Sequence, residues 1–233
     1  GVYASVDSPV GRALAVAGGL RGDVVQNRNR GGWFGDLERS SGAVSGFAAL
    51  TAGPLAGFSA TAQAARGFRD PTLSDRYYRG PTGRGFITGN PELDPETSLQ
   101  LDLAVRWGGR GVRAVVGAYL YDIADLVERY ETAPDVFLFR NRGEARVRGV
   151  EAELQARLPW RLSLEATGHV LRGEVRDDGT PLDGIPPETL TLRLRRDADR
   201  GFAWVRLAAF GRLDRPGPTE RARDGHAVLD AAV

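Results

Sequence analysis

The chain has no cysteine and no methionine, and only two histidines, His169 and His226. Without cysteine there is no disulfide framework and no thiolate metal site. A cysteine-free chain suits an oxidising compartment, where an unpaired thiol is a liability. Two isolated histidines leave little for imidazole chemistry. No nucleophile elbow, phosphate-binding loop or zinc-ligand spacing is present. A net charge of +1, with no basic stripe standing apart from its acids, gives nucleic acid no purchase. No apolar run reaches the roughly 18 residues of a transmembrane helix. That excludes helical spans only, because barrel strands cross a bilayer in about 9–11 alternating residues. Position 1 is Gly and no signal peptide precedes the first alternating segment, so the sequence reads as an excised piece.

What is present is a period of two. Leu99, Leu101, Leu103, Val105 and Trp107 share one face, opposite Ser98, Gln100, Asp102 and Arg106. Val150, Ala152, Leu154, Ala156 and Leu158 oppose Glu151, Glu153, Gln155 and Arg157; Leu162, Leu164 and Ala166 oppose Ser163, Glu165 and Thr167; Leu190, Leu192 and Leu194 oppose Thr191, Arg193 and Arg195. Such alternation marks strands with one apolar and one wet face.

Short turns fall at Pro9, Pro54, Gly109, Pro159 and 197–200. Longer polar segments lie near 24–42, 67–96, 131–143, 174–187 and 214–225. The rule predicts about eleven strands, with short turns at one end and long loops at the other. Trp107, Trp160 and Trp204 lie near short turns, which predicts one interfacial aromatic girdle. A soluble β-sandwich has the same period, with the apolar face as its core. Against it, many apolar-face positions are small (Ala60, Ala62, Ala64, Ala114, Ala118, Gly168), which fills a core poorly but is tolerable against lipid.

The wet faces carry Glu151, Glu153, Arg157, Glu165, Arg193, Arg195 and Arg206. They read either as a charged lumen or as simple solvated cross-strand pairs. His169, with Glu165 on the same wet face, reads as a solvated histidine rather than a base or ligand. Nothing calls for catalysis, a metal or a cofactor.

Residues 66–96, RGFRDPTLSDRYYRGPTGRGFITGNPELDPE, hold four prolines and five glycines, too many breakers for a regular helix or central strand. A loop this long in a compact domain is usually functional. Arg76, Tyr77, Tyr78 and Arg79 are the candidate ligand contacts, with Trp33 and Phe34 as further loop aromatics; the alternative role for these aromatics is to anchor the loops.

The wording of 66–78 and of Gly89–Glu96, followed by Phe139-Arg140-Asn141, Arg148-Gly149-Val150-Glu151 and Ile185-Pro186-Pro187, resembles the barrel of TonB-dependent outer-membrane receptors. That resemblance implies an all-β, antiparallel up-and-down transmembrane β-barrel, with 1–233 as an incomplete piece of a roughly 22-stranded barrel with a plugged lumen. The plug domain, the N-terminal TonB-contacting segment and the terminal strands would lie outside this chain. It further implies energy-dependent uptake of a scarce small molecule, a ferric siderophore-like chelate or a cobalamin-like compound, across a Gram-negative outer membrane. Lipid, the plug and the TonB complex would be its partners. A passive porin-like barrel and a soluble all-β binding module are the alternatives. Leu99, Leu101, Leu103, Leu154, Leu164, Leu192 and Leu207 should face lipid, and Asp102, Glu153, Glu165 and Arg193 the lumen. The loops 24–42, 67–96, 174–187 and 214–225 should be extracellular. A half-barrel with two open edges should not be stable alone in a bilayer, since unpaired backbone groups in hydrocarbon are costly.

Overall fold

A computed structural model describes Gly1–Val233. Eleven strands form one antiparallel meander: β1 (Val2–Val10), β2 (Leu14–Asn29), β3 (Leu37–Leu55), β4 (Phe58–Arg69), β7 (Glu96–Gly109), β8 (Val112–Ala133), β9 (Val136–Leu158), β10 (Leu162–Val175), β11 (Thr189–Ala198), β12 (Gly201–Phe210) and β13 (His226–Ala232). Each pairs with its neighbour in sequence, and β1 and β13 are the open edges. The remaining elements sit in the β4–β7 connection: a single helical turn, α1 (Leu73–Tyr77), and a short hairpin, β5 (Arg79–Thr82) and β6 (Gly85–Thr88). The breaker-rich segment is therefore more ordered than its prolines suggest. The hairpin survives because it stands outside the main ladder, where β6 pairs in parallel with β9 over three residues.

Register confirms the two faces. Leu101 lies opposite Ala64 and Leu120, and Leu103 opposite Ala62 and Ala118. Leu154 pairs with Ala166, which pairs with Leu192, which pairs with Leu207. On the other face Asp102 lies opposite Gln63 and Tyr119, and Glu165 opposite Gln155 and Arg193. Nothing covers the apolar face: Leu103 is 52% exposed, and only 14 of 233 residues are buried. A sandwich would bury this face as its core, so the soluble reading is overturned; a single-layer sheet has no interior.

Five short turns, at residues 11–13, 56–57, 110–111, 159–161 and 199–200, make up one end of the meander, and the other connections fall at the opposite end. Two of the expected loops are largely strand. The β2–β3 ladder runs on to Asn29 opposite Leu37, leaving only 30–36 as loop, and β8–β9 continues to a two-residue turn at Pro134–Asp135. Where both faces of a ladder meet water, alternation disappears while hydrogen bonding continues, so the periodic signal ends before the strand does.

The aromatic girdle also needs correction. Trp107 is on the apolar face, 6.1 Å from Phe58, and Trp160 stands 79% exposed in the β9–β10 turn. Trp204 instead pairs with Arg195 on the polar face, beneath the Arg193 guanidinium. Proximity to a turn gives height along the strand, whereas parity decides the face.

A small core forms only at the loop end. There Ala145, Val175 and Leu182 are packed with Ile123, Val147 and Ile185 as the β10–β11 connection folds back on the polar face.

Candidate functional site

The loop end is organised by the β4–β7 connection. Thr72 caps α1: its hydroxyl accepts from the Asp75 N–H at 3.1 Å, and the Asp75 carboxylate accepts from the Thr72 N–H at 2.9 Å. This capping box allows one helical turn among prolines. The turn aims Arg76 inward, where it is 2% exposed. Its guanidinium donates to the carbonyls of Pro91 (3.0 Å) and Leu93 (2.5 Å) and lies 3.5 Å from Asp70. The Asp70 carboxylate also accepts from Asn27 Nδ2 at 2.5 Å and Ser41 Oγ at 2.6 Å, tying β4 to β2 and β3.

The second half of the connection is joined to β8 and β9. Asn90 donates to the Phe139 carbonyl at 3.1 Å. Asn141 accepts from the Asp94 N–H at 2.8 Å and donates to the Asp94 and Asp125 carbonyls at 2.9 and 2.7 Å. Glu96 accepts from the Val127 N–H and from Arg69. The motif residues thus work mainly as joints: each satisfies backbone groups that a long irregular segment would otherwise strand.

Of the four candidate contacts, Arg76 is withdrawn, because its charge is spent on carbonyls and Asp70 away from solvent. Tyr77 is half-buried against Phe34, ring centroids 6.2 Å apart, with its hydroxyl shielded and unpartnered. Tyr78 is exposed and donates to the Pro81 carbonyl at 2.7 Å. The Arg79 guanidinium lies 3.9 Å from the centre of the Trp33 ring and 5.1 Å from that of Phe86. Trp33, 70% exposed, is held out by this stack. Phe86 was missed by sequence reasoning; its only signal was the aromatic in the hairpin's return strand.

The polar face is not uniformly interleaved. Asp102, Glu151 and Glu153 surround Gly117, and none forms an ion pair with an arginine. His169 stands in register with Glu151, its Nε2 shielded and without a partner. Glu165 is 3.7 Å from Arg193 rather than engaged with His169. Farther along, Arg206 donates to Asp230 at 2.6 Å. The polar face thus gathers three unpaired carboxylates around Gly117, while Arg106, Arg113 and Arg157 lie on the same face toward the short-turn end and Arg193, Arg195 and Arg206 on β11–β12. In the β10–β11 connection the Asp178 carboxyl is held below the usual aspartate range, chiefly by hydrogen bonds from Thr180, then by Arg142. No three His, Asp or Glu side chains converge as a metal site.

Comparison with known proteins agrees with this architecture. The family described as TonB dependent receptor-like, beta-barrel matches residues 1–233. The vitamin B12 transporter BtuB of Vibrio vulnificus is 27% identical over 181 residues, 72% of this chain and 26% of that protein. An iron-regulated outer membrane virulence protein of Vibrio cholerae is 27% identical over 169 residues, 64% of this chain and 26% of its own length. The chain thus spans about a quarter of the curated relatives it matches. Among solved structures, the copper transporter OprC superposes with a TM-score of 0.85 at 18% identity, covering 98% of this chain and 38% of that one. The ferric yersiniabactin uptake receptor FyuA of Yersinia pestis gives 0.71 at 19%, over 98% and 36%. At these identities the structural likeness establishes the fold. BtuB and OprC are named as transporters and FyuA as an uptake receptor, and none of these names is that of an enzyme.

Proposed function

Because the chain belongs to the TonB-dependent receptor β-barrel family, we propose that it is the barrel wall of an outer-membrane receptor that imports a scarce small molecule with energy from the TonB complex. The observation that carries this reading is the sheet itself: one uncovered apolar face, one charged face, an end made of short turns alone and a braced loop cluster at the other. In a bilayer the apolar face meets lipid, and the short turns face the periplasm. Sheet edges at β1 and β13 must be paired by further strands of the same barrel, because hydrocarbon satisfies no backbone groups.

On this reading the unpaired carboxylates of Asp102, Glu151 and Glu153 receive a basic surface of the plug, which supplies the ion-pair partners that these three lack. The loop aromatics Trp33, Tyr77, Tyr78 and the stacked Arg79 form the capture surface at the outer mouth. The ligand falls among ferric chelates, cobalamins or other metal complexes, in line with the cargo named for the relatives.

The experiment is growth and radiolabelled uptake by a strain lacking the full-length protein, complemented with and without a functional TonB complex, over a panel of iron chelates, copper and cyanocobalamin. Uptake of one ligand that needs both proteins is the expected result. Uptake independent of TonB would point instead to a passive pore.

A further inference from the structure

A concavity of about 680 Å³ opens at the loop end between the tip of the β5–β6 hairpin, the far end of β8–β9 and the β12–β13 connection. Neither Trp33 nor Arg79 lines it. Phe137 is the one apolar side chain in its wall, and four arginines surround it: Arg84, Arg129, Arg221 and Arg223. The chain has no lysine, so every one of its 31 side-chain cations is a guanidinium. Several other arginines at this end find acids: Arg142 bonds Glu128 and Asp178, Arg140 bonds Glu128, and Arg176 bonds Glu144. The four around the concavity do not.

Their lack of partners is not for want of carboxylates. Glu131 and Glu220 also line the space, but each accepts from a backbone N–H, of Asp135 at 2.8 Å and of Gly217 at 3.2 Å, and neither comes within ion-pair distance of these arginines. Asp135, the remaining acid, is likewise unpaired. Arg129 is fixed rather than free. Its guanidinium lies over the Phe137 ring at 5.0 Å and donates to the Thr219 hydroxyl at 3.0 Å, while its Nε is shielded with no acceptor. Thr219 is itself held by Asp183, through its N–H at 3.0 Å and its hydroxyl at 2.8 Å. Two connections therefore cooperate to position one half-buried cation that has an unused donor.

We propose that this concavity seats the anionic part of the imported ligand, an oxygen-rich small molecule carrying two or more carboxylate or phosphate-type groups. The inference rests on the uptake reading above and narrows its ligand class, since a corrinoid of zero net charge, with one phosphodiester, would leave most of the guanidiniums unanswered. Guanidinium forks bind such groups in a planar, two-toothed manner, and several forks from separate elements suit a multiply charged anion.

The test uses the full-length receptor in detergent, with citrate and inorganic pyrophosphate as probes and cyanocobalamin as the control of zero net charge. Binding is followed by calorimetry for wild type and for the double variant Arg84→Gln/Arg221→Gln. Both positions are exposed, and heat-modifiable gel migration verifies folding. Saturable binding of at least one anion, weakened about tenfold or more in the variant and by high salt, is expected. Citrate or pyrophosphate alone identifies the group as carboxylate or phosphate. Binding of neither anion, or equal binding by wild type and variant, overturns the proposal. TonB-dependent uptake that is equal in both proteins removes the pocket but leaves the receptor reading intact. Variant-sensitive anion binding without any TonB-dependent uptake supports the pocket and removes the receptor reading.

Discussion

The Tyr119 ring lies against Gly149 across the β8–β9 ladder, so closely that a Cβ at position 149 would stand 2.5 Å from the phenol. Tyr121 stacks on Tyr119 with centroids 5.0 Å apart and bonds Asp102 at 3.3 Å. The glycine of the Arg-Gly-Val-Glu motif is there to let a large ring lie flat on the polar face. We expect Gly149→Val to destabilise the full-length barrel by about 1–3 kcal/mol, as overpacking does. Tyr119→Ala in the same chain should relieve part of that loss. Urea unfolding in lipid vesicles measures both. No relief in the double variant would show that the clash is not with Tyr119.

Two neighbouring arginines should behave in opposite ways. Arg76→Ala leaves the Pro91 and Leu93 carbonyls and the Asp70 carboxylate without their buried cation, and should cost about 3–5 kcal/mol. Arg79→Ala removes an exposed cation–ring stack worth about 0.5–1 kcal/mol and should leave folding intact while weakening ligand binding. Surface abundance and binding, measured together, separate the two. Equal abundance would mean that Arg76 is not a joint.

Leu103 and Ala104 are adjacent in sequence and lie on opposite faces of β7. Leu103→Arg should cost about 2–4 kcal/mol near the bilayer midplane. Ala104→Arg enters the polar face beside Asp102 and should be far milder. Similar costs would mean that the face assignment is wrong.

The topology can be read from labelling, helped by the natural lack of cysteine. Gly83→Cys, at an open hairpin tip, should react with an impermeant thiol reagent on intact cells. Arg110→Cys, in the β7–β8 turn, should not. The reverse pattern would invert the barrel.

Acid should loosen the β10–β11 connection. The Asp178 carboxyl is depressed in the folded state, so its contribution is complete above the ordinary aspartate value and is lost as pH falls from about 4 downward. Protection factors of the amides around 176–182, with the intrinsic pH dependence of exchange divided out, should therefore fall at pH 3 relative to pH 6. Asp178→Asn should show low protection at both. Unchanged protection in wild type would detach Asp178 from the loop's stability.

The sequence by itself determined the meander, its number of long strands, the shared face of leucines such as Leu101, Leu103, Leu154, Leu192 and Leu207, and the end at which each turn falls. These follow from period-two alternation and turn chemistry, which are local and survive without any knowledge of neighbours. The resemblance carried by residues 66–96 and 148–151 was legible too. Only the tertiary structure decided what those motif residues do. Arg76 directly precedes Tyr77 and Tyr78 in sequence, yet carbonyls 15 and 17 residues away claim it. Asn27 of β2, Ser41 of β3 and Asp70 just past β4 come together to make one joint. Trp204 looked like a girdle residue until register put it beneath Arg193. The extension of β2–β3 and β8–β9 beyond the apolar band was likewise invisible, because a ladder wet on both faces needs no alternation. Burial and charge pairing depend on which distant segments the sheet brings together, and a period of two carries no information about that.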